Sequence, residues 1–348
     1  MCVPVTVVIT GAAGAVGTRV MRRLERDLEA VDIRAVDRVV VGAGEGVDVK
    51  IVDLAVDDLS SVFAGAATVV HLATTVTPDV DDPAADDLEL AILRRVLDAA
   101  TEVGVEHMVV LSTAMVYGAW VGNPVPLTEE AMVRPNPDFG WASVRAAVEQ
   151  LALEWGRAPG RVVSVLRPTA LVADDALGQL ARVLHAARIG IAAEGDPPVQ
   201  YLHVDDLAGA ISTVISARFD GVANVAPDGW IPPDSLADLE GPTARIRVPG
   251  WAARGIAALR SRAGLSPIPP GIVPYTSHSW VVANDRLRML GWQPDYSNEE
   301  AWVVSHEPNA LDRLPARRRQ ELALVAAGLA LSGILLGIVI AVRRFRRR

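Results

Sequence analysis

The sequence predicts an α/β protein built on a doubly wound parallel sheet, with a smaller C-terminal substrate lobe and one C-terminal transmembrane helix. Three observations predict it. A β-branched run ends in a glycine-rich turn that opens a helical pattern; strand-like and helical segments then alternate as far as residue 168; and an uncharged apolar run of 21 residues stands near the end.

The first element is Val5 to Thr10, VTVVIT, followed by Gly11, Gly14 and Gly17 and then by Val20, Met21 and Leu24 at helical spacing. This is strand, turn, helix. Gly11 permits the tight turn, Gly14 lets the backbone approach a pyrophosphate, and Gly17 lets the helix lie close on the strand, its N-terminus facing the anion. A second strand, residues 32–36, ends at Asp37, twenty residues after Gly17, where a carboxylate reaches both ribose hydroxyls. Together these specify a dinucleotide site of the Rossmann type. Arg38 follows directly and suits a 2′-phosphate, so NAD is the expected cofactor and NADP the alternative. Further strands are expected at 47–52, 68–71, 107–112 and 161–166, with helices at 84–103 and 142–155. Asp53 and Leu54 then stand at the adenine edge. His71, Leu72 and Ala73 stand where the pyrophosphate and its ribose pass.

Composition narrows the function classes. The net charge is −9, yet the first 311 residues hold 24 basic against 40 acidic residues, a net −16, while residues 312–348 hold nine arginines and two acids. An acidic body excludes nucleic acid as the main partner, and a basic tail suits phospholipid headgroups. Cys2 is the sole cysteine and no basic n-region precedes the first strand, so the body is expected in the cytoplasm. The six histidines show no metal-ligand spacing, so no metal is expected.

Residues 322–342, LALVAAGLALSGILLGIVIAV, carry no charge and span roughly 30 Å as a helix. Arginines flank both ends, three at 317–319 and five between 343 and 348. The charge rule favours the C-terminal side in the cytoplasm, whereas a nucleotide-binding body belongs there itself; the body is expected to decide. Gly333 and Gly337 form a GxxxG face on which two copies would pair as a homodimer.

With these residues in view, the chain resembles the extended short-chain dehydrogenase/reductase family, the NAD-dependent epimerases and dehydratases. The resemblance runs from residue 5 to about 303. It rests on TGAAGAVG (10–17), VVHLAT (69–74), VVLSTAMVYG (109–118), LRPTALV (166–172), YLHVDDLAGAI (201–211), NVA (224–226) and LGWQPDY (290–296). It implies a dinucleotide domain at 1–168, to which 199–226 returns, a substrate lobe mainly at 169–312 and an anchor at 313–348. It also sets Pro168 beside the cofactor. In the family a serine or threonine, a tyrosine and a lysine at Y-x-x-x-K spacing move the proton. Thr113 takes the first place. Trp141 and Arg145 occupy the tyrosine and lysine places, and neither an indole N–H nor a guanidinium exchanges a proton near neutral pH. Arg145 would still hold the nicotinamide ribose. Tyr117, or Tyr201 with His203, is then the candidate substitute.

Trp230, Trp251, Trp280 and Trp292 read as core residues of the lobe, and Trp251 to Leu265 as a lid helix or a membrane-surface helix. The expected function is a membrane-anchored NAD(P)-binding epimerase, dehydratase or reductase with non-standard catalytic residues. Its small-molecule substrate would be a lipid-linked or apolar alcohol or sugar. The alternative is a non-catalytic NAD(P)-binding sensor or structural subunit.

Overall fold

The computed structural model describes residues 5–28, 30–174, 176–240, 245–263 and 268–306. The apolar run 322–342, its GxxxG pair and the flanking arginines lie outside the described residues. Among the described residues no helix is long and apolar enough to cross a membrane.

The chain begins β1 (Val5–Thr10), α1 (Ala15–Asp27), β2 (Val31–Asp37), β3 (Asp48–Ile51), α2 (Leu59–Phe63), β4 (Thr68–His71), α3 (Pro83–Val103), β5 (His107–Leu111), α4 (Gly140–Trp155) and β6 (Val162–Pro168). It continues β7 (Ala170–Ala173), β8 (Ala176–Leu177), α5 (Gln179–Arg188), β9 (Gly190–Ala193), β10 (Tyr201–His203), α6 (Val204–Ser216), β11 (Gly221–Val225), α7 (Pro233–Glu240), β12 (Arg245–Val248), α8 (Gly250–Arg262), α9 (Asp285–Met289) and α10 (Asn298–Val304). Seven strands form one sheet in the order β3-β2-β1-β4-β5-β6-β11, every pair parallel.

The sheet is covered on both faces because its strands are apolar at consecutive positions. Successive side chains point to opposite faces, so buried Val7, Val8 and Ile9 need cover on each. Val8 packs with residues of α2, α3 and α4; Val7 and Ile9 pack with α1 and α6. In α1 the buried residues Gly17, Val20, Met21 and Leu24 keep helical spacing. For α3, the Asp82 carboxylate accepts from the Ala84 N–H, Pro83 opens the first turn, and Gly104 closes the helix at φ +76°. The sheet reverses direction between β1, which pairs with β2, and β4, so a crevice opens at the C-terminal ends of β1 and β4.

Beyond β6 a second core gathers around Tyr201, Tyr275, Trp280 and Trp302. It contains a three-stranded sheet, β10-β7-β8, and lies beside a two-stranded one, β12-β9. Within residues 199–226, α6 and β11 join the nucleotide sheet, while β10 pairs with β7 in the small sheet. Trp280 and Trp292 are buried as expected of core residues. Trp230 is half-exposed and Trp251 stands largely in solvent, which corrects the core expectation for Trp251.

Candidate active site

The crevice at the sheet reversal is a cavity of about 540 Å³, the size range of a small-molecule site. The glycine turn forms one end. Gly11 has φ +73°, and a Cβ there would lie 2.6 Å from the Ala73 nitrogen, so only glycine lets the turn close on the end of β4. A Cβ on Gly17 would lie 2.5 Å from the Gly11 carbonyl oxygen. Gly14 differs, since a Cβ there meets only the Gly11 oxygen, at 3.2 Å. Gly14 is the N-cap of α1 without a side-chain cap, and Ala15, Val16 and Gly17 line the cavity. The first-turn N–H groups of α1 therefore remain for an anion, a donor set that fits a pyrophosphate.

Asp37 ends β2, and its Oδ2 accepts from the Ala13 N–H at 3.0 Å, bracing the glycine turn. Arg38 is exposed beside it. Asp53, at the end of β3, accepts from the Ala55 N–H at 2.9 Å, and Leu54 is buried in the core. These four residues do not line the cavity itself, whereas Leu72, Thr113, Trp141, Arg145 and Pro168 do. Ala73 abuts Gly11 behind the turn.

Arg145 has a partner that sequence reasoning missed. Its Nη1 lies 3.1 Å from Glu89 Oε1, its Nη2 donates to the Thr74 hydroxyl, and both charged side chains are almost fully buried. Glu89 also accepts from the Thr75 N–H at 2.6 Å and the Thr75 hydroxyl at 2.9 Å. Burial pulls the Arg145 pKa down and the facing Glu89 carboxylate opposes that pull. The pair ties α4 to α3 and to the loop after β4. The Arg145 guanidinium also lies 5.8 Å from the centre of the Trp141 ring, which walls the cavity. A signal for Glu89 was present: it shares the buried stripe of α3 with Ile92, Leu93, Val96 and Leu97, and a carboxylate on such a stripe needs a cation.

A second buried network lies beneath. Arg167 grips Glu149 through Nε–Oε1 at 2.9 Å and Nη2–Oε2 at 2.6 Å, and Ser112 donates to the same carboxylate. Arg167 Nη1 donates to the Tyr117 hydroxyl at 2.7 Å, and that hydroxyl donates to Asn224 Oδ1 at 2.8 Å. Burial pushes the Tyr117 phenol up to about 12, against the nearby Arg167 cation. Tyr117 thus stands outside the cavity lining with its hydroxyl occupied, which corrects the expectation of it as a substitute acid.

Tyr201 and His203 are corrected likewise. Tyr201 is enclosed in the lobe core, 4.7 Å from the Trp302 ring centre, and burial pushes its phenol up to about 12. His203 caps α6: its Nδ1 accepts from the Asp205 N–H at 3.3 Å, so the proton sits on Nε2, which points to Asp174 at 3.6 Å. The ligand atoms of Asp174, His203 and Asp205 lie within 4.8 Å of one another, close enough to share a metal ion. The protonated Nε2 and Arg19 Nε, 3.0 Å from Asp205, give this group the character of a charge-balanced helix cap.

The imidazole in the cavity wall is His71. Its Nδ1 meets the Thr10 hydroxyl at 2.8 Å, and burial, reinforced by Arg145 and opposed by Glu89, holds the imidazole down at about 4. Thr113 Oγ1 accepts from the Met115 N–H at 3.3 Å, which leaves its proton free for a ligand in the cavity. The rest of the wall is largely apolar, with Val76, Leu171, Val172, Leu177 and Leu180.

Among solved structures, the chain is similar to MoeE5 in complex with UDP-glucuronic acid and NAD, with a TM-score of 0.65, 20% identity, and coverage of 86% of this chain and 97% of that one. It is also similar to the UDP-glucose 4-epimerase of Thermus thermophilus in complex with NAD, with a TM-score of 0.65, 22% identity, and coverage of 88% and 99%. At such identities the likeness shows the fold. Among curated sequences it is similar to the uncharacterized protein Rv0501 of Mycobacterium tuberculosis, 26% identical over 200 residues, which are 57% of this chain and 53% of that protein. The uncharacterized protein y4nG of Sinorhizobium fredii is 25% identical over 221 residues, 61% of this chain and 55% of that protein. The chain thus spans about half the length of the curated relatives it matches. The model of the NAD dependent epimerase/dehydratase family matches residues 7–226, well over half of the chain and all of the site above. The chain therefore belongs to the NAD dependent epimerase/dehydratase family.

Proposed function

We propose that this protein binds NAD in the cavity and acts on a hydroxyl of an apolar or lipid-linked alcohol or sugar, with residues 322–342 anchoring it to a membrane and the body in the cytoplasm. The observation that carries this reading is the continuity of the cavity. One space runs from the glycine turn past Thr113 and Trp141 to an apolar wall on β7, β8 and α5.

When bound, NAD supplies reversible hydride acceptance at its nicotinamide. The first turn of α1 would hold its pyrophosphate, and Asp37 would accept from its adenosine ribose. The Thr113 hydroxyl would hydrogen-bond the substrate oxygen and orient it. Arg145, neutralised by Glu89, would brace the wall at the nicotinamide end, and Trp141 lines the cavity where the resemblance sets a tyrosine. With His71 held neutral and Tyr117 enclosed, the substrate proton passes to water or to the substrate's own groups rather than to a phenolate. MoeE5 was solved with a nucleotide sugar, which supports a hydroxyl-bearing substrate. The apolar wall favours a lipid-linked form of it.

A second reading is a non-catalytic NAD-binding protein, favoured by the commitment of the Arg145 charge to Glu89. Titration of the full chain with NAD, NADH and NADPH, followed by incubation with a lipid extract of the native membrane, separates the two. The first reading expects NAD affinity and NADH formation that Thr113→Ala abolishes. NAD affinity without any NADH formation selects the second, and absence of affinity for every dinucleotide overturns both.

A further inference from the structure

We propose that the face formed by α8, β9 and β12 docks on an anionic lipid bilayer, so that the substrate lobe lies on the membrane and not merely near it. This deepens the membrane reading above and rests on it for biological context, though not for its physical argument.

Charge is the first part of that argument. In a chain whose first 311 residues carry −16, residues 241–284 hold five arginines and no acid. Arg247 pairs with Asp196 and Arg254 with Asp138. For Arg260 and Arg262 no carboxylate partner occurs among the described residues. Neutralisation of these arginines falls to something outside the fold, and anionic headgroups supply it.

Exposed apolar area is the second. On α8 only Ala253 is buried, and the opposite side presents Trp251 and Leu259, eight residues apart, 75% and 70% exposed. At 100° per residue, Gly255 and Arg262 fall within the same arc. Ile246 on β12 is 61% exposed and pairs in register with Ile191 on β9. A tryptophan, a leucine and the unpaired Arg262 on one arc are the composition of a helix lying in the headgroup region.

The third part selects lipid over a second copy or the chain's own C-terminal segment, and it is continuity with the active site. A shallow groove between Ile189, Ile191 and Ile256 shares Ala186 with a neighbouring hollow of about 290 Å³. That hollow shares Gln179 and Arg182 with the cavity itself. Groove, hollow and cavity thus adjoin along one side of α5, beneath α8, and an apolar tail entering beside α8 would follow that side to the reaction site.

The test uses the full chain carrying Cys2→Ser and Leu259→Cys, labelled with an environment-sensitive fluorophore and reconstituted into vesicles. A matched protein is labelled at exposed Arg157, at the opposite end of the sheet from the cavity. The expected result in phosphatidylglycerol-containing vesicles is quenching of the position-259 label by brominated acyl chains, at least about five-fold above that at 157. Arg260→Gln with Arg262→Gln, or pure phosphatidylcholine, should reduce it to the level at 157. Equal quenching at both positions overturns the proposal. So does water-shielding at 259 that persists without anionic lipid, since this assigns the face to protein. Resistance of the same protein to carbonate extraction reports the anchor separately. A carbonate-extractable chain whose 259 label is still quenched by added anionic vesicles loses the anchor and keeps the docking face.

Discussion

Two positions in α4 decide what the cavity can do chemically. Trp141 brings an indole to the wall, and Arg145 brings a cation already met by Glu89. Removing one partner of a buried ion pair leaves the other charge without compensation. Glu89→Gln should therefore destabilise the protein by about 3 kcal/mol, read as a lower urea midpoint, and should loosen the loop after β4. An unchanged midpoint would show that the pair is solvated. Restoring Trp141→Tyr together with Arg145→Lys tests the relay: if the phenol and ammonium places are those the resemblance implies, NADH formation should rise roughly ten-fold or more over wild type. An unchanged rate would place the proton path elsewhere.

Protonation gives a further check. Burial holds His71 and His107 at about 4, against 6.5 for an open histidine. Between these values the unfolded chain binds protons that the folded chain does not, so stability is full above pH 6.5 and falls as pH drops toward 4. The urea midpoint measured from pH 7.5 to 4.5 should follow that direction, and His107→Gln, which keeps a partner for Ser164, should flatten the fall. Identical slopes would contradict the burial argument. At this scale the sequence was legible for glycines and acids whose spacing is the signal, such as Gly11 and Asp37. It was not legible for partners: Glu89 meets Arg145 across 56 positions of chain, and Tyr117 read as a free phenol until Arg167 and Asn224 closed on it.

At the scale of elements, the turn between β1 and α1 separates structural from ligand-directed glycines. Gly11 and Gly17 face backbone atoms that a Cβ would strike, so alanine at either should lower stability together with NAD affinity. Gly14 faces the cavity and lies at φ −68°, which any residue adopts. Gly14→Ala should thus leave thermal stability within about 1 kcal/mol of wild type while weakening NAD binding at least about ten-fold. Calorimetry and titration of the same sample check both halves. The limits of α3 were legible from its helical pattern: expected at 84–103, it runs Pro83–Val103, with Asp82 and Gly104 as its caps. α8 was legible as a helix, but its tryptophan was not placed. A helix that buries one alanine has no strong apolar stripe to set its rotation, and Trp251 turned outward.

For the whole molecule, alternation of strands and helices foretold the parallel sheet, since right-handed crossovers leave few alternatives; its order β3-β2-β1-β4-β5-β6-β11 came from the structure. The second lobe was legible only in outline. Its strands are two to four residues long, and β10 and β11, eighteen residues apart, enter different sheets, a division that no local pattern announces. The functional account depends on this assembly, because the cavity is closed on one side by the glycine turn and on the other by β7, β8 and α5. Its central claim is that this space is built for NAD. The most direct measurement is calorimetric titration of NAD into the full chain beside its Gly14→Ala variant. The account predicts saturable binding of one NAD per chain, weakened in the variant without loss of fold. No heat of binding in wild type, or equal affinity in the two proteins, would contradict it.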